Sequence, residues 1–180
     1  MVRDTIRQSA LDLVRVSELV HRPDLDLSSL GQSAKLDPTH VAYMGESFGT
    51  VVAYVVDVSI ADGAPKLHAV TAGVHANQVV NPLAAQAQIQ GGAVYGLAMT
   101  RPGYEITLKD GVVQQSQFSD YPPPRITDVP AVAVHFVASN DPPTGLGEPG
   151  VPPIAPAIAN AIAALTGKRL RKLPFDLAQA

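Results

Sequence analysis

Cysteine is absent from this sequence. That excludes disulfides, thiolate metal sites and cysteine-ligated iron–sulfur clusters within the chain. Any such redox centre belongs to another polypeptide. No apolar run reaches the ~20 residues of a membrane span. The opening Met1-Val2-Arg3-Asp4-Thr5 has no apolar signal core. The expected location is therefore cytoplasmic, with the periplasm as the alternative for a longer parent enzyme. Charge of one sign never runs long, and the net charge is −3. A basic stripe for nucleic acid is missing, so neither nucleic acid nor a membrane is an expected partner. Internal repeats and low-complexity tails are absent too. The five histidines are His21, His40, His68, His75 and His135. None forms the i, i+4 helical pair of a zinc site, so no metal ligand is assigned to this chain.

What is present suits one domain. The 180 residues suffice to bury a core, and 46% of them are apolar. The 16 prolines are unusual, at about twice the ordinary frequency of ~5%. Many lie between Pro122 and Pro156, which predicts rigid, ordered loops in the C-terminal half. A basic cluster, Lys168, Arg169, Arg171 and Lys172, follows an expected helix. There cations suit the negative end of the dipole or simply face solvent; phosphate binding is the alternative.

Residues 3–20 read as an imperfect amphipathic helix, and 21–39 as a polar, proline-containing linker. Residues 41–60 are rich in β-branched and aromatic residues and are broken by Gly45 and Gly49. The turn signal Ala61-Asp62-Gly63-Ala64-Pro65 leads to a returning strand over 66–74. Asn81-Pro82 is a helix start, asparagine as N-cap and proline at the first helical position. That helix should run to about Met99. It carries Gly91, Gly92 and Gly96, each costing ~1 kcal/mol against alanine. The usual compensation is close approach of a backbone or a ligand. Lys109-Asp110-Gly111 predicts a second hairpin, its strands over 104–108 and 112–117. A short strand is expected over 131–137 and a Pro/Gly loop over 141–153. Ile154, Ile158, Ile162 and Leu165 then share one helical face, with Gly167 just past its end. Strands in hairpins with helices between them give an α+β expectation. The expected division is an N-terminal helix and linker over 1–39 and one domain over 40–180.

Two stretches could carry chemistry. In Gly145-Leu146-Gly147-Glu148-Pro149-Gly150 a carboxylate sits among glycines and a proline, ahead of a buried helix. Glu148 reads either as a solvated loop residue or as a general base on a rigid loop. In Gln88-Ile89-Gln90-Gly91-Gly92 a carboxamide precedes two glycines. Gln88 reads either as a helix-surface residue or as a partner for the mixed donor–acceptor edge of a pterin. Gly45-Glu46-Ser47-Phe48-Gly49 lacks the Gly-Lys-Ser/Thr ending of a phosphate loop. Ser47 precedes a strand rather than a helix, which argues against a nucleophile elbow.

Together these stretches resemble the xanthine dehydrogenase and aldehyde oxidase family, in the C-terminal part of its molybdopterin-binding subunit. They look closest to the isoquinoline 1-oxidoreductase beta-subunit branch. Carrying the resemblance are the 45–49 and 88–92 segments, Val79-Val80-Asn81-Pro82, Glu105-Ile106-Thr107-Leu108-Lys109-Asp110-Gly111 and Asp120-Tyr121-Pro122. The most specific is Pro142 to Gly150, followed by Pro152-Pro153-Ile154-Ala155-Pro156-Ala157. The resemblance runs from about residue 40 to the C-terminus.

The resemblance implies that Glu148 is the active-site base beside molybdenum. It implies that Gln88, with Gly91 and Gly92, contacts molybdopterin, commonly in its cytosine dinucleotide form. Gln90 stands where glutamate is common, and no role is carried to it. The implied reaction hydroxylates an N-heterocycle or aldehyde carbon with oxygen from water, electrons leaving through an iron–sulfur subunit. The family's subunit is several hundred residues long, so this chain should hold one side of the site. It would need the remainder of the molybdopterin-binding subunit as partner, hold no stoichiometric cofactor alone and expose apolar surface open to self-association. The competing expectation is a non-catalytic domain that binds a protein partner.

Overall fold

The computed structural model describes residues 42–47, 50–61 and 63–179. The helix expected over 3–20 and the linker over 21–39 lie outside them. Three antiparallel strands come first: β1 (Ala42–Ser47), β2 (Thr50–Ala61) and β3 (Ala64–His75). The β-branched content of β2 fits a pleated, half-buried surface. Gly63, with φ of 74°, takes the left-handed position of the turn between β2 and β3. A register shift between Asp57 and Val58 separates the tip of that hairpin from its base. The base half of β3, from Val70 to His75, is buried throughout, whereas its tip half is not.

Helix α1 (Pro82–Ala98) begins as its sequence directs. The Asn81 side-chain oxygen accepts from the Ala84 N–H at 3.1 Å, and proline fills the first helical position. A hairpin of two very short strands follows, β4 (Leu108–Lys109) and β5 (Val112–Val113). Asp110 and Gly111, with φ of 51° and 79°, supply its turn. The hairpin is shorter than expected. Past Leu108 one more backbone bond, Gln114 N–H to the Thr107 carbonyl at 2.9 Å, is followed by the Gln115 side chain, which accepts from the Thr107 N–H at 2.7 Å. An isolated two-stranded ribbon has no buried face to extend it.

Strand β6 (Ala131–Phe136) then joins the main sheet, whose order is β1-β2-β3-β6. It lies parallel to β3, in register from Ala69–Ala131 to Val74–Phe136. This departs from the all-hairpin expectation: α1 serves as part of a crossover, the connection that parallel pairing requires. Helix α2 (Ile154–Thr166) ends at Gly167, which adopts φ of 74° and donates its N–H to the Ala163 carbonyl.

The helices pack on the sheet and on each other, α2 over β1 and β2, α1 over β6. Val52, Tyr54, Val70 and Val74 of the sheet meet Ile89 of α1 and Ile154, Ile158 and Ile162 of α2 in one core. Each such side chain contributes roughly 1.5–3 kcal/mol on burial. Leu165, on the same helical face, is 55% exposed instead. One helix layer on a mixed sheet is the expected α+β architecture. Phe118 and Ile126 are 87% and 89% exposed, and Val80 and Leu83 also face solvent. No helix among the described residues is long and apolar enough to cross a membrane.

Candidate active site

The loop carrying Glu148 is pinned at both ends. At its start, Gln78 N–H donates to the Asp141 carbonyl (3.1 Å), Asn77 Nδ2 to Pro142 (3.1 Å), and Thr144 N–H to Ala76 (3.3 Å). These bonds tie it to the chain leaving β3. At its end, the Tyr54 hydroxyl donates to the Gly150 carbonyl at 2.9 Å. Tyr54 is fully buried, and burial pushes its phenol well above the ordinary value, so it stays a donor. A turn closes between the Val151 N–H and the Glu148 carbonyl at 2.9 Å. Pro149 and Gly150 are buried, whereas Glu148 is exposed. Among the described residues its carboxylate has no hydrogen-bonding or ionic partner. A free carboxylate thus stands on an immobilised backbone.

Helix α1 forms the facing support. Gln88 Nε2 donates to the Gly147 carbonyl, directly before Glu148. Gln90 Nε2 donates to the Val132 carbonyl at 2.9 Å and locks the helix to β6. Gln88, Gly91 and Gly92 share a helix face by their i, i+3, i+4 spacing. Gly92 is in close contact with the loop: a Cβ there would lie 3.1 Å from the Gly150 carbonyl carbon. At Gly96 a Cβ would meet the Val151 carbonyl oxygen at 2.5 Å and collide with Ile154 Cγ2. Gly91 differs, because a Cβ would touch nothing within 4 Å. Two of the three helical glycines therefore admit the chain's own backbone, and the third faces open space.

The structure brings Gln88, Gly92 and the Glu148 loop together. His75 is buried in the base of β3, while His68 pairs with Ser59 Oγ at 2.7 Å on the hairpin. Among the described residues no group of three or more His, Cys, Asp or Glu could hold a metal ion. Sequence reading missed Tyr54. An aromatic on a central strand reads as core, and nothing local connects it to Gly150.

The chain matches the molybdopterin cofactor-binding domain over residues 10–130. It belongs to that family. The match begins upstream of the motifs quoted above and ends before the Glu148 loop. This molybdopterin-binding domain is 38% identical to the membrane-bound aldehyde dehydrogenase [pyrroloquinoline-quinone] of Gluconacetobacter polyoxogenes, over 66% of the chain and 15% of the relative. It is 37% identical to the isoquinoline 1-oxidoreductase subunit beta of Brevundimonas diminuta, over 59% of the chain and 14% of the relative. It thus spans about one seventh of these relatives' length. Among solved structures, quinoline 2-oxidoreductase from Pseudomonas putida 86 superposes with a TM-score of 0.57 at 20% identity, covering 72% of the chain and 18% of the other. That likeness carries the fold. The kinship with xanthine dehydrogenase and aldehyde oxidase molybdopterin-binding subunits, expected from the motifs, holds.

Proposed function

We propose that this molybdopterin-binding domain forms the C-terminal wall of a molybdenum hydroxylase site. The enzyme hydroxylates an N-heterocycle or aldehyde carbon with oxygen drawn from water. The single observation carrying this reading is the Glu148 carboxylate, exposed and unpaired among the described residues, on a loop braced by Tyr54, Gln88 and Gly92. A general base needs a free carboxylate on a well-held stretch of backbone.

The wall fits a pterin edge. Gln88 uses its amide on Gly147, which leaves its oxygen to accept from a ring N–H. The open main chain at Gly91 admits a flat ligand. These residues would hold molybdopterin, in its cytosine dinucleotide form. When bound, the cofactor supplies the oxidising metal centre and the activated water. Glu148 takes the proton released as the new bond to oxygen forms. Tyr54 and Gly92 hold the backbone two residues past Glu148, because neither the Gly150 carbonyl nor its Cα can move without losing a bond or a contact. These 180 residues hold no cysteine, so the iron–sulfur clusters that would take the electrons onward lie outside them, as on an iron–sulfur subunit. The rest of the molybdopterin-binding subunit closes the site.

The test is Glu148→Gln in the assembled enzyme. Glutamine keeps the size and an oxygen but cannot take the proton. We expect kcat, normalised to molybdenum, to fall ~10²–10⁴-fold. Folding and metal content should stay near those of the unmodified enzyme. A near-normal kcat refutes the assignment.

A further inference from the structure

A cleft of about 1050 Å³ opens between the tip of the β2–β3 hairpin, the end of α1 and the segment 169–177. It shares no residue with the Glu148 loop or with Gln88–Gly92. Its floor is apolar: Leu67, Leu97, Ile158 and Phe175 line it, the last three buried. Its walls are not. Lys66, Arg101, Arg169, Arg171 and Lys172 face three carboxylates, Glu105, Asp128 and Asp176. In a chain of net charge −3, this is a local excess of cations.

The cations are largely uncommitted. Arg101 is matched by Asp128 at 3.2 Å. Among the described residues Lys66, Arg169, Arg171 and Lys172 form no ion pair. Nor do they cap α2. The Ala163 carbonyl is taken by the Gly167 N–H (2.8 Å) and the Ile162 carbonyl by Thr166 Oγ1 (2.8 Å). The carboxylate nearest in sequence, Asp176, directs Oδ1 to the Ala178 N–H at 2.8 Å. The segment bearing the cations is held in place. Phe175 N–H donates to the Thr100 carbonyl (2.9 Å), and Lys168 Nζ to Leu177 (2.9 Å). The wall is therefore fixed while its charged tips stay free.

We propose that this cleft binds a phosphorylated small molecule with an apolar or aromatic body. Arginine forks match phosphate oxygens two at a time, and lysines add point charge. Four cations unpaired among the described residues suit a dianion better than a single carboxylate. The apolar floor takes the body, and the volume is that of an ordinary ligand pocket. The site does not depend on the hydroxylase reading, because it uses none of the same residues.

Calorimetric titration of the full chain with phenyl phosphate tests it. Saturable binding is expected, weakening as salt screens the exposed cations. Inorganic phosphate, which cannot use the floor, should bind about tenfold more weakly. The Arg169→Gln/Arg171→Gln variant should lose about tenfold or more in affinity for phenyl phosphate. Lys109→Gln, an exposed cation outside the cleft, should leave it unchanged. No binding at millimolar phenyl phosphate, or equal binding by the double variant and the parent chain, overturns the site. Equal affinity for inorganic and phenyl phosphate overturns the apolar-body part.

Discussion

The three glycines of α1 form a graded test of how tightly the helix supports the Glu148 loop. Each costs ~1 kcal/mol against alanine in a helix interior, so alanine brings a gain that contacts then oppose. At Gly91 a new Cβ meets nothing within 4 Å. Gly91→Ala should stabilise the chain by about 0.5–1 kcal/mol. At Gly96 the Cβ lands 2.5 Å from the Val151 carbonyl oxygen and against Ile154 Cγ2. The oxygen is backbone and cannot rotate away, and Ile154 is fully buried. Overpacking of this kind costs ~1–3 kcal/mol. The clash opposes the propensity gain, leaving a net loss of up to about 2 kcal/mol. Gly92 lies between, since its Cβ would sit 3.1 Å from Gly150, whose carbonyl Tyr54 holds. A small net loss is expected there. Urea unfolding of the purified chain, read as midpoint shifts at constant slope, ranks the three. Gly96→Ala as stable as Gly91→Ala would refute the packing argument. In the assembled subunit the order inverts for function: Gly91→Ala, harmless to the chain, should lower molybdopterin content.

Tyr54→Phe removes the donor to Gly150 and leaves a buried carbonyl unpaired, for a loss of about 1–3 kcal/mol in the same urea assay; an unchanged midpoint would show that the bond does not hold the loop. The Asp128 carboxyl is held below its ordinary range, first by the hydrogen bond from Arg101 and then by the Arg125 N–H. Its folded pKa lies below its unfolded one, so its stabilisation is present above the ordinary carboxylate range and fades as pH falls through the depressed value. Asp128→Asn should therefore be less stable than the parent chain near neutrality and converge with it in acid, and a gap that persists in acid would contradict the pairing. The purified chain alone should hold no stoichiometric molybdenum, because a cofactor of this size needs contacts on several sides; metal analysis finding about one molybdenum per chain would show otherwise.

Much of the local architecture is written in short segments. Asn81-Pro82 starts α1, Asp110-Gly111 turns the small hairpin, and Gly167 closes α2, each through backbone preferences a few residues wide. Repeating isoleucines mark the buried face of α2 through Ile162, though not at Leu165. The candidate site was legible only by its chemistry. A glutamate among glycines and a glutamine before glycines stand out as residue types. Their support does not, because Gln88 reaches Gly147 and Tyr54 reaches Gly150 across long stretches of chain.

By itself, then, the sequence determined the main elements among the described residues, their caps and turns, the absence of a thiolate redox centre within these residues, and the family through ordered motifs. The tertiary structure alone decided that β6 runs parallel to β3 and that Gly92 and Gly96 stand against the chain's own backbone. It also decided that Arg169, Arg171 and Lys172 line a cleft. Caps and turns depend on the dihedral preferences of neighbouring residues, which a linear reading captures. Strand partners and glycine contacts depend on which distant surfaces meet once the core closes, and no local propensity encodes that meeting.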